Sequence, residues 1–134
     1  FYAVLPDLSY LARGGRISSS KIRLLKWLNL VPVISFEPSG KVKVVKLFLG
    51  RRQIAKRLAH WVKKQVPASE RYKIMVSHCD NALAADRLEQ AIKSVFCESD
   101  IQLLRTRTGA TLGAHGGPES FGLAIQLIAE GMDF

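Results

Sequence analysis

Two β-prone runs split by a three-residue turn constrain this chain more than anything else in it. Residues 31–37 and 41–49 are rich in Val, Ile, Leu and Phe, and only Pro38-Ser39-Gly40 stands between them. So short a connection joins antiparallel neighbours, and a Pro/Gly pair supplies the backbone angles that a tight turn requires. Residues 31–49 therefore read as a hairpin. Val42 and Val44 alternate with Lys41 and Lys43, but the phase slips at Val45-Lys46, the pattern of a bulge.

A hairpin alone cannot bury its apolar face, so its flanks decide the fold class. Upstream, Pro6-Asp7 with Leu8 and Leu11 reads as a short helix stopped by Gly14-Gly15. Ser18, Ser19 and Ser20 offer N-caps for a second helix, with Ile22, Leu25 and Leu28 on one face and Pro32 at its end. Downstream, residues 51–65 carry a helical stripe of Ile54, Leu58, Trp61 and Val62, closed by Pro67, which makes Trp61 a core residue. Residues 72–79 read as a strand, 81–98 as a helix, 101–108 as a strand and 121–128 as a closing strand. The expected architecture is α+β and two-layered, a mainly antiparallel or mixed sheet with helices packed on it.

The chain has 134 residues, one domain's worth (residues 1–134), and a globule of that size hides roughly two-thirds of the surface its unfolded chain exposes. Hydrophobic residues at 48% and charged residues at 23% exclude a disordered or collagen-like chain. The most apolar stretch, 28–36, is far shorter than the ~20 residues of a spanning helix. Cys79 and Cys97 read as buried, structural free thiols in a cytoplasmic protein. The chain opens on Phe1 rather than Met, which reads as a piece of something longer.

The net charge of +9 is one-sided. Residues 1–73 hold 16 basic and 3 acidic side chains and residues 74–134 hold 4 and 8, so the parts carry +13 and −4. Such a field points to an anionic partner, whether nucleic acid, membrane surface, acidic protein or phosphorylated ligand. The basic helix 51–64 is either a solvated face, a docking surface for an acidic protein or a nucleic-acid contact.

Two glycine segments could carry a ligand. Gly14-Gly15-Arg16-Ile17-Ser18 leads into a helix, where backbone N–H groups and the Arg16 fork suit a small anion; the alternative is a plain helix-linking turn. Residues 109–118 place His115 among small residues and glycines that leave room for a ligand; the alternative is a loop histidine capping a strand. His60 and His78 lack metal-ligand spacing, so no metal is expected. There is no Gly-x-Ser-x-Gly elbow and no Gly-Lys-Ser/Thr phosphate loop, and no catalytic residue is nominated.

Taken in order, Asp7-Leu8-x-x-Leu11-x-x-Gly14-Gly15-Arg16-Ile17-Ser18, then Leu30-Val31-Pro32-Val33-Ile34 and Gly40-Lys41-Val42, the sequence resembles the C-terminal half of the DegV family. Ser77-His78 with Asn81, Ala85 and Leu88 and the segment Gly113-x-His115-x-Gly117-Pro118 are similar to later motifs of that family. The resemblance implies a C-terminal lobe of a two-lobe protein, the N-terminal lobe being absent. Between the lobes a long-chain fatty acid would lie, its carboxylate held by Arg16 and His115 beside the backbone of Gly14, Gly15, Gly116 and Gly117. It further implies a substrate-presenting role rather than an enzyme: a fatty acid kinase partner phosphorylates the carboxylate to an acyl phosphate for phospholipid synthesis, and Arg51 and Arg52 belong to the kinase-facing surface. No cofactor beyond the fatty acid, no DNA and no transmembrane segment are expected; a basic nucleic-acid-binding or protein-interaction module is the alternative. The sequence departs from the family pattern at Glu119, where glycine is common, and at Gly116, often Thr. Lys26 replaces a frequent glycine, and Leu49 to Ala55 lacks the first arginine of a basic run.

Overall fold

A computed structural model describes residues 1–13, 18–68 and 70–128. The elements are β1 (Tyr2–Val4), α1 (Ser9–Arg13), α2 (Ser19–Trp27), β2 (Leu30–Phe36), β3 (Val42–Leu49), α3 (Ile54–Lys63), β4 (Tyr72–His78), α4 (Ala82–Val95), β5 (Ile101–Arg107), α5 (Ala110–Gly116) and β6 (Phe121–Leu127), with a 3₁₀ turn at Glu98–Asp100. One six-stranded sheet runs β3-β2-β1-β6-β4-β5. Only β4 and β5 are parallel, because α4 carries the chain back between them. The expected α+β fold with a mixed sheet and packed helices is the one observed.

The hairpin forms as its turn requires, and the phase slip is real: Val33 faces Lys46 and Ile34 faces Val44, which leaves Val45 as the extra residue. Two details differ from expectation. α2 ends at Trp27 with Leu28 as its cap, followed by Asn29 whose φ of 51° is left-handed, and not at Pro32. Pro32 lies inside β2, and its carbonyl accepts from Leu5 N at 3.2 Å. In a strand the N and O of one residue point to the same edge, so the missing N–H of Pro32 falls where β1 has already ended and costs little.

Alternation splits the sheet into two faces. Val4, Val33, Ile74, Val76 and Leu123 face α3 and α4, whose Leu58, Val62, Leu88 and Ile92 are all fully buried against them. Trp61 packs edge-on to Tyr2 at the margin of this core, with ring centroids 5.0 Å apart. The other face carries a smaller cluster of Ala3, Leu5, Leu8, Leu11, Ile22 and Ile34 beneath α1 and α2. Cys79 and Cys97 are free thiols; Cys79 is half-buried, but Cys97 is exposed, contrary to the buried thiol expected, because it follows the end of α4 and enters the exposed 3₁₀ turn. Among the described residues no helix is long and apolar enough to cross a membrane.

Ser9 N donates to Asp7 Oδ1 at 2.9 Å at the start of α1, and this bond holds the Asp7 carboxyl below its ordinary value of 3.8. A lowered folded-state value stabilises the protein above that pH and is lost as the pH falls through it. Asp7→Asn is therefore expected to lower the melting temperature slightly near pH 7, and the gap should be smaller at pH 3, below the ordinary value of 3.8. Thermal melts at both pH values check this, and a gap of equal size at pH 3 would refute the charge contribution.

Candidate functional site

The α1/α2 face of the sheet is only partly covered, and register makes one continuous row across it. Val44 stands opposite Ile34, Ile34 opposite Ala3, Ala3 opposite Gly122, Gly122 opposite Ser77, and Ser77 opposite Thr106. Directly paired residues share a face, so this row runs from branched aliphatics at β3, through two small residues, to hydroxyls at β5. Phe36, paired with Val42, adds a second aromatic and aliphatic step at the apolar end, and the Phe1 ring stacks on Phe36 at 5.4 Å.

A cavity of about 520 Å³ sits on this row, well inside the roughly 300–1,000 Å³ of ordinary ligand sites. Phe1, Ala3, Ile34, Phe36 and Val42 make its oily part, with Lys41 beside them, while Ser77, Thr108, Ser120 and His115 bring further polar groups to the same cavity. Such a lining suits an amphiphile, one apolar body with one polar head.

His115 is positioned by α5, which the sequence reading took for glycine loop. The helix is poor in propensity, with Gly113 and Gly116 inside its seven residues, and tertiary packing holds it. A Cβ at Gly113 would meet Cys79 Sγ at 2.7 Å, one at Gly116 would meet Ser120 Oγ at 2.9 Å, and one at Gly117 would lie 2.5 Å from the Tyr10 ring. Gly117 also has φ +80°, and its N–H closes the helix on Gly113 O at 2.8 Å. Glycine is thus required because α5 is pressed against β4's end, the 117–120 turn and α1. His115, in the last turn, is half-buried at the cavity margin and does not cap a strand.

The turn after α5 is held bond by bond. Ser120 is buried and its hydroxyl donates to Gly117 O at 2.7 Å, Asp80 N donates to Pro118 O at 3.0 Å, and Asn81 Nδ2 donates to Glu119 O at 3.0 Å. Arg51 reaches the same turn: Nη1 donates to Glu119 Oε2 at 2.9 Å and Nη2 to Pro6 O at 2.6 Å. Glu119, the departure from the family pattern, therefore has a partner in this chain.

Of the residues singled out from sequence, His115 and Gly116 line the cavity, and Gly117 packs against Tyr10. Gly14, Gly15 and Arg16 lie outside the described residues. Arg51 and Arg52 lie in the turn between β3 and α3, Arg51 engaged as above and Arg52 exposed. Sequence reasoning missed Ser77, Thr108 and Ser120, and the apolar half formed by Ala3, Ile34 and Phe36; the alternation of 31–37 was the available signal for the latter. Among the described residues no group of three or more His, Cys, Asp or Glu could hold a metal ion.

Comparison with known proteins agrees with this architecture. The family model for DegV, whose description is "uncharacterised protein, DegV family", matches residues 1–127. A DegV domain-containing protein of Clostridium perfringens is 29% identical over 127 residues, which cover 94% of this chain and 43% of that protein. One of Streptococcus pneumoniae is 28% identical over 122 residues, 91% of this chain and 42% of the other. The crystal structure of a fatty acid binding DegV family protein from Streptococcus agalactiae superposes with a TM-score of 0.75 at 27% identity, covering 92% of this chain and 43% of that one. A Thermus thermophilus DegV family protein, described as binding fatty acid, superposes with a TM-score of 0.75 at 22% identity, over 96% and 45% of the two chains. The chain thus spans less than half the length of the relatives it matches. With the family match running through all six strands, this chain belongs to the DegV family.

Proposed function

We propose that this chain is the C-terminal lobe of a two-lobe protein that binds one long-chain fatty acid. The acyl chain lies over Ala3, Ile34 and Phe36, and the carboxylate meets His115 and Arg16 beside the backbone of Gly14, Gly15, Gly116 and Gly117. The observation that carries this reading is the mixed lining of one cavity: mainly aliphatic and aromatic side chains at the β3/β2 part, where Lys41 adds a cation, and hydroxyls and an imidazole beside Leu112 at the β4/α5 part. An acyl chain gains about 0.8 kcal/mol for each methylene it buries, whereas a carboxylate left unpaired in such a cleft is prohibitively costly. A guanidinium and an imidazole supply the charge and the donors that remove this cost.

The fatty acid binding described for the Streptococcus agalactiae relative, 27% identical and of the same fold, supports the ligand class. Presentation to a cytoplasmic fatty acid kinase, which would form the acyl phosphate for phospholipid synthesis, completes the proposal, with no cofactor other than the acid itself. The exposed row of Lys56 and His60 on α3 and Lys64 at its C-cap, continued by Arg52, suits an acidic face on that kinase.

Native mass spectrometry of the two-lobe parent tests the ligand. The expected result is a protein carrying one mass equal to a long-chain acid, with the 134-residue chain alone holding little because half the cleft is missing. A two-lobe protein that stays free of lipid acid even after incubation with oleate would overturn the proposal.

A further inference from the structure

We infer that Arg51 is a positioning residue that sets the His115 turn, and not a docking cation. The inference rests on the carboxylate reading of His115 for its functional meaning, but its geometry stands by itself. Arg51 follows β3, 45 residues from Pro6 and 68 from Glu119 in sequence. One arm of its fork holds Glu119 Oε2 at 2.9 Å and the other holds Pro6 O at 2.6 Å. Pro6 follows Leu5 and Glu119 precedes Ser120, and both Leu5 and Ser120 line the ligand cavity.

Behind that wall lies a second cavity of about 510 Å³, between α3 and α4, which Pro6, Arg51 and Glu119 line. Phe121 lines both cavities. Arg51 therefore ties together the partition between them, from the side away from the ligand. Gly116 and Gly117 are packed to the limit against Ser120 and Tyr10, so a shift of Glu119 moves the end of α5 that carries His115.

The two acceptors also explain why the residue is arginine. A lysine ammonium is a single point and lacks the planar fork that fits two acceptors at once. Glu119 fits the same picture, since glycine at that position would leave one arm of the fork empty.

The experiment is hydrogen exchange of the Asp80, Gly117 and Ser120 amides, with the His115 ring resonances recorded alongside, in this chain. Arg51→Gln and Glu119→Gln should each speed exchange at these amides by roughly three- to fivefold, the size expected of a half-exposed pair, and shift the His115 ring signals. Arg51→Lys should recover only part of this. The exchanged pair Arg51→Glu with Glu119→Arg restores the ion pair but leaves Pro6 O without a donor, so it too should recover only part. Unchanged exchange and unchanged His115 signals in Arg51→Gln, or full recovery by Arg51→Lys, would overturn the inference. Because the readout needs no lipid, a clamp that behaves as expected in a parent that binds no fatty acid would remove the ligand reading and leave the clamp standing.

Discussion

Gly122→Ala is expected to be among the most damaging single substitutions in this chain, although it adds one methyl group to a residue with ordinary backbone angles. A Cβ built there would lie 2.2 Å from Tyr2 O and 2.8 Å from Ala3 Cα. Both are backbone atoms of β1, and no side chain can rotate away to make room. β1 is only three residues long and is held between β2 and β6, so it has few bonds with which to resist displacement. Moving it opens the centre of the sheet, where Val4 is fully buried and Ala3 floors the cavity. We expect a loss of about 3 kcal/mol or more and a fall in melting temperature on the order of 10 °C. Gly109→Ala is the control: nothing lies within 4 Å of the added Cβ, and its effect should stay within about 1 kcal/mol. Chemical denaturation of the two variants beside wild type decides the matter, and equal midpoints for Gly122→Ala and Gly109→Ala would refute the tight β1–β6 approach.

That glycine also shows where local sequence stops being informative. The hairpin was legible because its turn chemistry and its alternation are local, and even the bulge announced itself at Val45-Lys46. α3 and α4 were legible because their apolar stripes have helical period. β1 was not, since three residues, Tyr2 to Val4, carry no period at all. α5 was hidden for the opposite reason: Ala110 to Gly116 has two glycines and reads as a loop, and it becomes a helix only through contacts with Cys79, Ser120 and Tyr10.

The site divides in the same way. Glycines around His115 flagged a close approach, and the structure supplies three partners for it. Neither Ser77 nor Thr108 could be placed at the cavity from its own segment: Ser77 gets there through register across β6 and β4, and Thr108 follows β5, its N–H donating to His78 O at 2.7 Å. The family resemblance implies a kinase-facing role for Arg51, and its charge leaves either a docking or a solvated face. Its true neighbours, Pro6 and Glu119, lie 45 and 68 residues away in sequence, a separation at which composition says nothing.

His115→Ala in the two-lobe protein is expected to weaken fatty acid retention about tenfold to a hundredfold, the range given by losing one hydrogen bond to a charged group. The fold should survive, because the side chain is half-buried at a margin and the packing of α5 rests on its glycines. His115→Gln keeps a donor without the option of positive charge and should fall between the two. Loss of affinity alone would not separate contact with the head group from a reshaped cavity, so the ligand is varied as well. A methyl ester presents the same acyl chain without the negative charge. If the imidazole grips the carboxylate, wild type should prefer the acid strongly, and His115→Ala should lose most of that preference while binding the ester about as wild type does. If His115 only shapes the wall, acid and ester should weaken together in His115→Ala, and the carboxylate role would be withdrawn. The seat of the acyl chain is tested by the same pair of ligands: Ile34→Ser, at the oily part of the trough, should weaken acid and ester alike, since it removes apolar contact common to both.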